Sequence, residues 1–364
     1  MPKTILQGSW SHRCRSTLTL WATTVNVLAR RAIARPLVRG WSVPFEIATL
    51  FYRKQFNHAF RLPSMAESRA YFDSLYTIAE PDLPVQVHAS TPQEPRGDWF
   101  IPDRPNSSKT LLYFHGGGYA FYPAVSRHFI GLLAHKLQTS IFAVDYRLTP
   151  EHPHPAQQDD ALDAYRHLLK RGIPAQDIVL AGDSAGGHLV LMTLVGLRQA
   201  GLPQPALALA LSPWTDIGRR GASQFGHDRY DMVQGYQTLQ YGQWLKGNGL
   251  WSDDQLSPIA QDLRHLAPIY IQAGGKEILV DMIRDFAAEA RKQGANIRLD
   301  VWPDMTHEFH AYGSTLPQSE QAIAALRTAI QWTKGGVFEP AEETELNGLD
   351  SAYGKAQPEV IKPV

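Results

Sequence analysis

Between about residues 80 and 335, short apolar runs alternate with longer stretches of helical period. The runs Thr110–Phe114, Ile141–Tyr146, Ile178–Ala181, Ala206–Leu211, Ile269–Ala273 and Ile297–Val301 are each closed by glycine, proline or polar residues. That pattern predicts strands buried on both faces. Helical spacing marks Ala156–Arg171, Ala185–Gln199, Asp281–Gln293 and Gln318–Lys334. Buried strands alternating with helices predict an α/β architecture, a mostly parallel sheet covered on both sides. Residues 218–263 break the rhythm, and their aromatics and glycines read as an inserted helical segment.

The two ends of the chain differ from this middle. Leu18, Trp21, Val25, Leu28 and Ala32 recur at helical spacing, which predicts first a helix docked on the protein and second one lying at a membrane interface. Residues 1–45 carry Lys3, Arg13, Arg15, Arg30, Arg31, Arg35 and Arg39 before the first acid, Glu46. An acid-free, Arg- and Ser/Thr-rich start also resembles an organelle presequence. The uncharged run Ser16–Ala29 is interrupted by Thr and Asn and is too short to span a bilayer. Residues 336–364 are acidic, proline-containing and aperiodic, the signature of a flexible tail. The expected organisation is therefore an N-terminal helical segment over 1–80, a core over 81–335 with an insertion at about 218–263, and the tail.

Composition narrows the function classes. The 364 residues are 44% hydrophobic, and 35 Lys plus Arg balance 35 Asp plus Glu. A neutral chain has no general means of gripping a phosphate backbone, so nucleic acid is not the expected partner. Cys14 is the only cysteine, which excludes an intramolecular disulfide and a thiolate metal cluster and fits a reducing cytoplasm. None of these patterns specifies an oligomer.

The candidate chemistry starts at Ile178-Val-Leu-Ala-Gly-Asp-Ser-Ala-Gly-Gly-His188, where an apolar strand runs into Gly182-Asp-Ser184-Ala-Gly186 and then a helical pattern. A serine on such a strand-to-helix turn has its hydroxyl pushed into the open, and small residues two positions to either side let strand and helix pass. Asp183 is expected to organise this turn through hydrogen bonds. Upstream, His115-Gly-Gly-Gly118 follows a strand. Glycines there let backbone N–H groups approach an oxygen, as an oxyanion hole requires. A serine hydroxyl needs a base, and the base a carboxylate. Of the 14 histidines, His307 in Trp302-Pro-Asp-Met-Thr-His-Glu-Phe-His310 lies on a loop after the last strand, with His310 as local competitor. Glu277 and Asp281 follow the Ile269–Ala273 run and are the candidate acids. His152 and His154 lack a carboxylate ligand set and read as loop packing rather than metal ligands.

These motifs together resemble the hormone-sensitive-lipase-like branch of the α/β-hydrolases. The resemblance rests on His115–Gly118, on Gly182–Gly187, on Asp145-Tyr-Arg-Leu-Thr-Pro-Glu-His-Pro-His-Pro-Ala156 and on Ser212-Pro-Trp-Thr-Asp216, and covers about Thr110 to Lys334. It implies an α/β-hydrolase fold with a helical cap and a serine carboxylic-ester hydrolase needing no metal or organic cofactor. Its substrates would be short- to medium-chain acyl esters or an acetylated small molecule. Carried over residue by residue, Ser184 would be the nucleophile, His307 the base, and the N–H groups of Gly116, Gly117 and Ala185 the oxyanion hole. The family places Asp where this chain has Glu277, in a D-x-L-x-D pattern that reads Glu277-Ile-Leu-Val-Asp281 here. Asp281 is thus the alternative acid, with helix capping as its other role. The resemblance also admits an amide hydrolase or deacetylase with the same residues, or a non-catalytic receptor on the same fold. Trp21, Trp41, Phe45, Phe51, Tyr52 and Phe56 would be core or would line an acyl pocket. The partner implied is a small-molecule ester, with peripheral membrane contact through the basic N-terminus left open.

Overall fold

The computed structural model describes residues 2–247, 249–332 and 344–345. Strands β1 (Lys3–Leu6) and β2 (Leu75–Ile78) form a small antiparallel pair. The remaining strands are β3 (Val85–Ala89), β4 (Gly97–Pro102), β5 (Thr110–Phe114), β6 (Ser140–Val144), β7 (Ile178–Asp183), β8 (Leu207–Leu211), β9 (Ile269–Gly274), β10 (Ile297–Trp302) and β11 (Thr344–Glu345). They make one sheet in the order β11-β10-β9-β8-β7-β5-β6-β4-β3. Every pairing from β6 to β11 is parallel, and β4 alone is reversed, pairing antiparallel with both β6 and β3. All six apolar runs of the sequence are strands, with ends shifted by a residue or two. The run expected to reach Tyr146 ends at Val144, and Tyr146 turns away to donate from its hydroxyl to the His115 carbonyl at 2.6 Å. The β3–β4 edge carries no continuous apolar run: Val85–Ala89 is mostly exposed, and an edge strand needs no two-sided burial.

Eleven α-helices are described: α1 (Trp10–Ala32), α2 (Val43–Ala59), α3 (Met65–Phe72), α4 (Ala124–Leu137), α5 (Ala156–Lys170), α6 (Ala185–Gln199), α7 (Ser223–Gly226), α8 (Gly235–Leu245), α9 (Asp253–Leu256), α10 (Val280–Lys292) and α11 (Pro317–Trp332). Alternate strand residues face opposite sides. Leu112, Phe114, Leu180 and Ile271 therefore pack with α5, α6 and α10, while Leu111, Tyr113, Val179 and Leu209 pack with α4 and α11. α6 is buried along nearly its whole length, because it crosses the middle of the sheet directly behind β7.

α1 corrects one expectation. It forms as its periodicity predicts, with Ser9 accepting the first free N–H from His12 at 3.3 Å. The apolar stripe, however, is not the docked face. The helix packs through Ser16, Thr23 and Val27, and Leu18, Trp21, Val25 and Leu28 are exposed on the other side. Hydrogen bonding decides the orientation. Ser16 Oγ lies 2.7 Å from Ser74 Oγ and accepts from Gln55 Nε2 at 3.0 Å, and Thr23 Oγ1 accepts from Lys54 Nζ at 3.0 Å. The acidic tail expected over 336–364 lies outside the described residues apart from 344–345.

Candidate active site

Ser184 sits between β7 and α6 with φ 53° and ψ −117°, a backbone conformation that costs an L-residue about 1–3 kcal/mol. The neighbouring glycines make it attainable. A Cβ on Gly186 would collide with the Phe114 carbonyl, and one on Gly182 would stand 2.6 Å from the Gly186 carbonyl group. The Ser184 N–H donates to Leu211 O at 2.9 Å, so the turn is tied to β8. The serine hydroxyl is aimed outward at the carboxyl end of the sheet, beside the N-terminus of α6.

His307 and Glu277 reach this hydroxyl from the loops after β10 and β9. His307 Nε2 lies 2.8 Å from Ser184 Oγ, and its Nδ1 lies 3.3 Å from Glu277 Oε2. The two loops interlock through backbone bonds from Gly275 N–H to Trp302 O and from Lys276 N–H to Met305 O, both 2.8 Å. Gly274 and Gly275 permit this, since a Cβ at either would strike the carbonyls of Met305 or Pro303. Asp281 is elsewhere. It lies in the first turn of α10 and accepts from the Ser223 N–H at 2.8 Å, so it anchors α7 rather than capping its own helix. His310 is buried in a 3₁₀ turn behind the site and held neutral, its pKa lowered by burial to about 3.

The glycine run differs from expectation at Gly116. Its N–H donates to Asp183 Oδ2 at 2.9 Å and is therefore committed. Asp183 also accepts from the Tyr113 hydroxyl at 2.5 Å, so it ties the glycine loop to the elbow, the organising role read from the sequence. Gly117 and Gly118, both at positive φ, line the cavity in front of Ser184. Among the described residues their N–H groups have no acceptor.

Two acidic residues here carried no recognisable sequence motif. Asp231, fully buried in the segment between β8 and β9, accepts three backbone N–H groups: Met232 at 2.7 Å and His307 at 3.2 Å on Oδ1, and Ile278 at 2.7 Å on Oδ2. It thereby pins the residue after Glu277 and His307 itself to one carboxylate. Burial raises its pKa to about 6, against the lowering influence of His307. Glu308, at φ 52°, brings Oε1 to 3.6 Å from His307 Nε2. Burial and the adjacent Asp183 push the Glu308 carboxyl well above its ordinary range, and burial raises Asp183 as well. Both shifts oppose the two carboxyl groups being charged together. For His307, burial acts downward, but the Glu277 hydrogen bond and the nearby carboxylates outweigh it and push the pKa up to about 9.

In front of Ser184 lies a cavity of about 400 Å³. Phe45, Phe51, Tyr52 and Phe56 from α2 line it, with Trp214, Tyr241 and Leu279 opposite. Trp41 packs nearby instead, donating Nε1–H to Asp304 O at 2.5 Å on the histidine loop, and Trp21 is exposed. A hydroxyl, an imidazole on it, a carboxylate behind and free N–H groups in front can together break an acyl bond by way of a covalent acyl-serine. No group of three or more His, Cys, Asp or Glu side chains among the described residues is placed to hold a metal. His154 packs edge-on against Trp251, with ring centres 4.6 Å apart.

The family model for the α/β-hydrolase fold matches residues 111–311. An acetyl-hydrolase of Streptomyces hygroscopicus is 38% identical over 64% of this chain and 79% of its own length. An ethyl acetate hydrolase of Pseudomonas putida is 30% identical over 61% of this chain and 72% of its own. The crystal structure of an esterase from the bacterial hormone-sensitive lipase family superposes with a TM-score of 0.67 at 26% identity, covering 90% of this chain and 100% of that one.

Proposed function

The chain belongs to the α/β-hydrolase fold family, in its hormone-sensitive-lipase-like branch, and from that premise we propose that Ser184, His307 and Glu277 carry its chemistry. It is a carboxylesterase-type serine hydrolase acting on acyl esters. His307 Nε2 takes the proton of Ser184 Oγ as that oxygen attacks the ester carbonyl carbon. The oxyanion that forms is held by the N–H groups of Gly117, Gly118 and Ala185. Collapse of the intermediate breaks the bond to the alcohol oxygen, which leaves with the proton from His307. Water, giving a proton to the same nitrogen, then attacks the acyl carbon, and Ser184 departs with its proton restored. Glu277 keeps the imidazole in the required tautomer and steadies its positive charge.

The observation that carries this reading is the 2.8 Å contact of His307 Nε2 with Ser184 Oγ at the floor of an apolar cavity. α1 to α3 and residues 218–263 serve as the cap over that floor, and the aromatic lining from α2 favours short- to medium-chain acyl groups. A chain with one cysteine suits the reducing cytoplasm, where we place it. The test is Ser184→Ala. Hydrolysis of p-nitrophenyl butyrate should fall by about 10⁴-fold or more while the circular dichroism spectrum is kept, and a fluorophosphonate should label wild type at Ser184 and leave the variant unlabelled. Ordinary activity in a folded Ser184→Ala protein would remove the nucleophile assignment.

A further inference from the structure

Helix α1 turns two different faces to its surroundings. Its docked face is polar, built on Ser16 and Thr23 with Val27 between the helix and the body. Its free face is apolar: Trp10 is 76% exposed, Leu18 and Trp21 66% each, Leu28 50% and Val25 47%. At about 100° per residue these five side chains fall within roughly a quarter of the helix circumference. The same rotation puts Arg13 on one flank of the stripe and Arg15 on the other. A water-soluble surface would place these chemistries the other way round.

The charge on the segment that carries the stripe has one sign. Lys3, Arg13, Arg15, Arg35 and Arg39 are all exposed, and no acid precedes Glu46. Glu46 does not offset them, being fully buried and ion-paired with Arg31. An apolar row containing two exposed tryptophans, bordered by arginines on a 23-residue helix, has the make-up of an element that lies in the headgroup plane of a bilayer. No described helix is long and apolar enough to cross one. The position of the cavity gives such contact a use. Its lining runs from Ser184 and His307 outward to Leu20 on α1 and to Pro2, so its outer end lies beside the same helix.

We propose that α1 seats the protein on anionic lipid bilayers through Trp10, Leu18, Trp21, Val25 and Leu28, with the flanking arginines on lipid phosphates, so that esters dissolved in the bilayer enter the cavity beside Leu20. The delivery half rests on the ester-hydrolase reading; the binding half does not, and it is measured without turnover. The full chain is floated with vesicles of phosphatidylcholine alone and of an equimolar mixture with phosphatidylglycerol. Wild type should float with the anionic vesicles, less with the neutral ones, and be released by salt, since each surface-facing Arg or Lys contributes about five-fold to partitioning on an anionic membrane. The triple variant Trp10→Ser, Leu18→Ser, Trp21→Ser should lose at least about 10-fold in partitioning. It should keep the wild-type rate on water-soluble p-nitrophenyl acetate, because none of the three side chains lines the cavity. Wild type that stays at the bottom of the gradient, or a variant that floats as well as wild type, overturns the proposal. So does a wild-type dimer that the triple substitution turns into a monomer without any flotation, which would assign the stripe to a second copy of the chain.

Discussion

Asp231→Asn separates the positioning of the catalytic loops from their stability. The carboxylate accepts two N–H groups on Oδ1, from Met232 and His307, and one on Oδ2, from Ile278. An asparagine can keep its oxygen toward the pair, which leaves its NH₂ facing the Ile278 N–H, donor against donor. A buried donor left unmet costs about 1–3 kcal/mol. Against this, burial has lifted the Asp231 pKa from 3.8 to about 6, which amounts to about 3 kcal/mol against the charged form in the folded protein. Because the folded-state value is the raised one, that group's stabilising contribution is present below about pH 4 and lost as pH rises through about 6. At pH 8 the variant therefore escapes a penalty of about the size it incurs, and its stability should match wild type within about 1–2 kcal/mol. At pH 4 it should be the less stable of the two. Activity should fall at either pH. Ile278 is the neighbour of Glu277, and releasing its N–H frees the carboxylate that orients His307. A displacement of about 1 Å there costs up to about 10²-fold, so kcat should drop by about 10- to 100-fold with KM little changed. Urea titrations at pH 4 and 8, with kcat on p-nitrophenyl butyrate, measure both effects. A variant with wild-type kcat, or one destabilised by more than about 4 kcal/mol at pH 8, refutes the reasoning.

Four further outcomes are expected. Glu277→Gln should lower kcat by about 10²–10⁴-fold, whereas Asp281→Asn, whose hydrogen bonds are with Ser223, should cost about 0.5–2 kcal/mol in stability or less; kinetics and melting of both variants check this, and the reverse ranking would exchange their roles. His307 must be neutral to accept the serine proton and its pKa is pushed up to about 9, so kcat/KM should keep rising well above pH 7, and Glu277→Gln should move that limb to lower pH; a wild-type plateau already reached at pH 7 contradicts it. The same raised value means that the stability His307 contributes is present below about pH 6.5 and lost as pH rises through about 9, a trend that thermal melts across this range should follow. Across p-nitrophenyl acetate, butyrate, octanoate and palmitate, kcat/KM should be greatest for the short acyl groups, given an aromatic-lined cavity of about 400 Å³; palmitate as the best substrate would exclude that pocket assignment.

The sheet was legible in the sequence because strands buried on both faces must be continuously apolar. Runs such as Thr110–Phe114 and Ile178–Ala181 mark themselves without any knowledge of their neighbours. Ser184 was legible for a similar reason, since the turn it occupies excludes side chains at Gly182 and Gly186 and so writes itself as a local motif. His307 and Glu277 were legible as candidates but not as a pair. Their 3.3 Å contact depends on two loops that meet only when β9 and β10 lie side by side. Hydrogen-bond bookkeeping decided the rest. Gly116 looks like its neighbours until Asp183 claims its N–H. Asp231 looks like any loop acid until three backbone donors converge on it. The apolar stripe of α1 announced a helix correctly, yet which face would dock was set by Ser74, Gln55 and Lys54 elsewhere in the chain. Periodicity reports that a side chain is apolar and how it is spaced. Only the folded neighbours determine whether burying that face satisfies more polar groups than it strands.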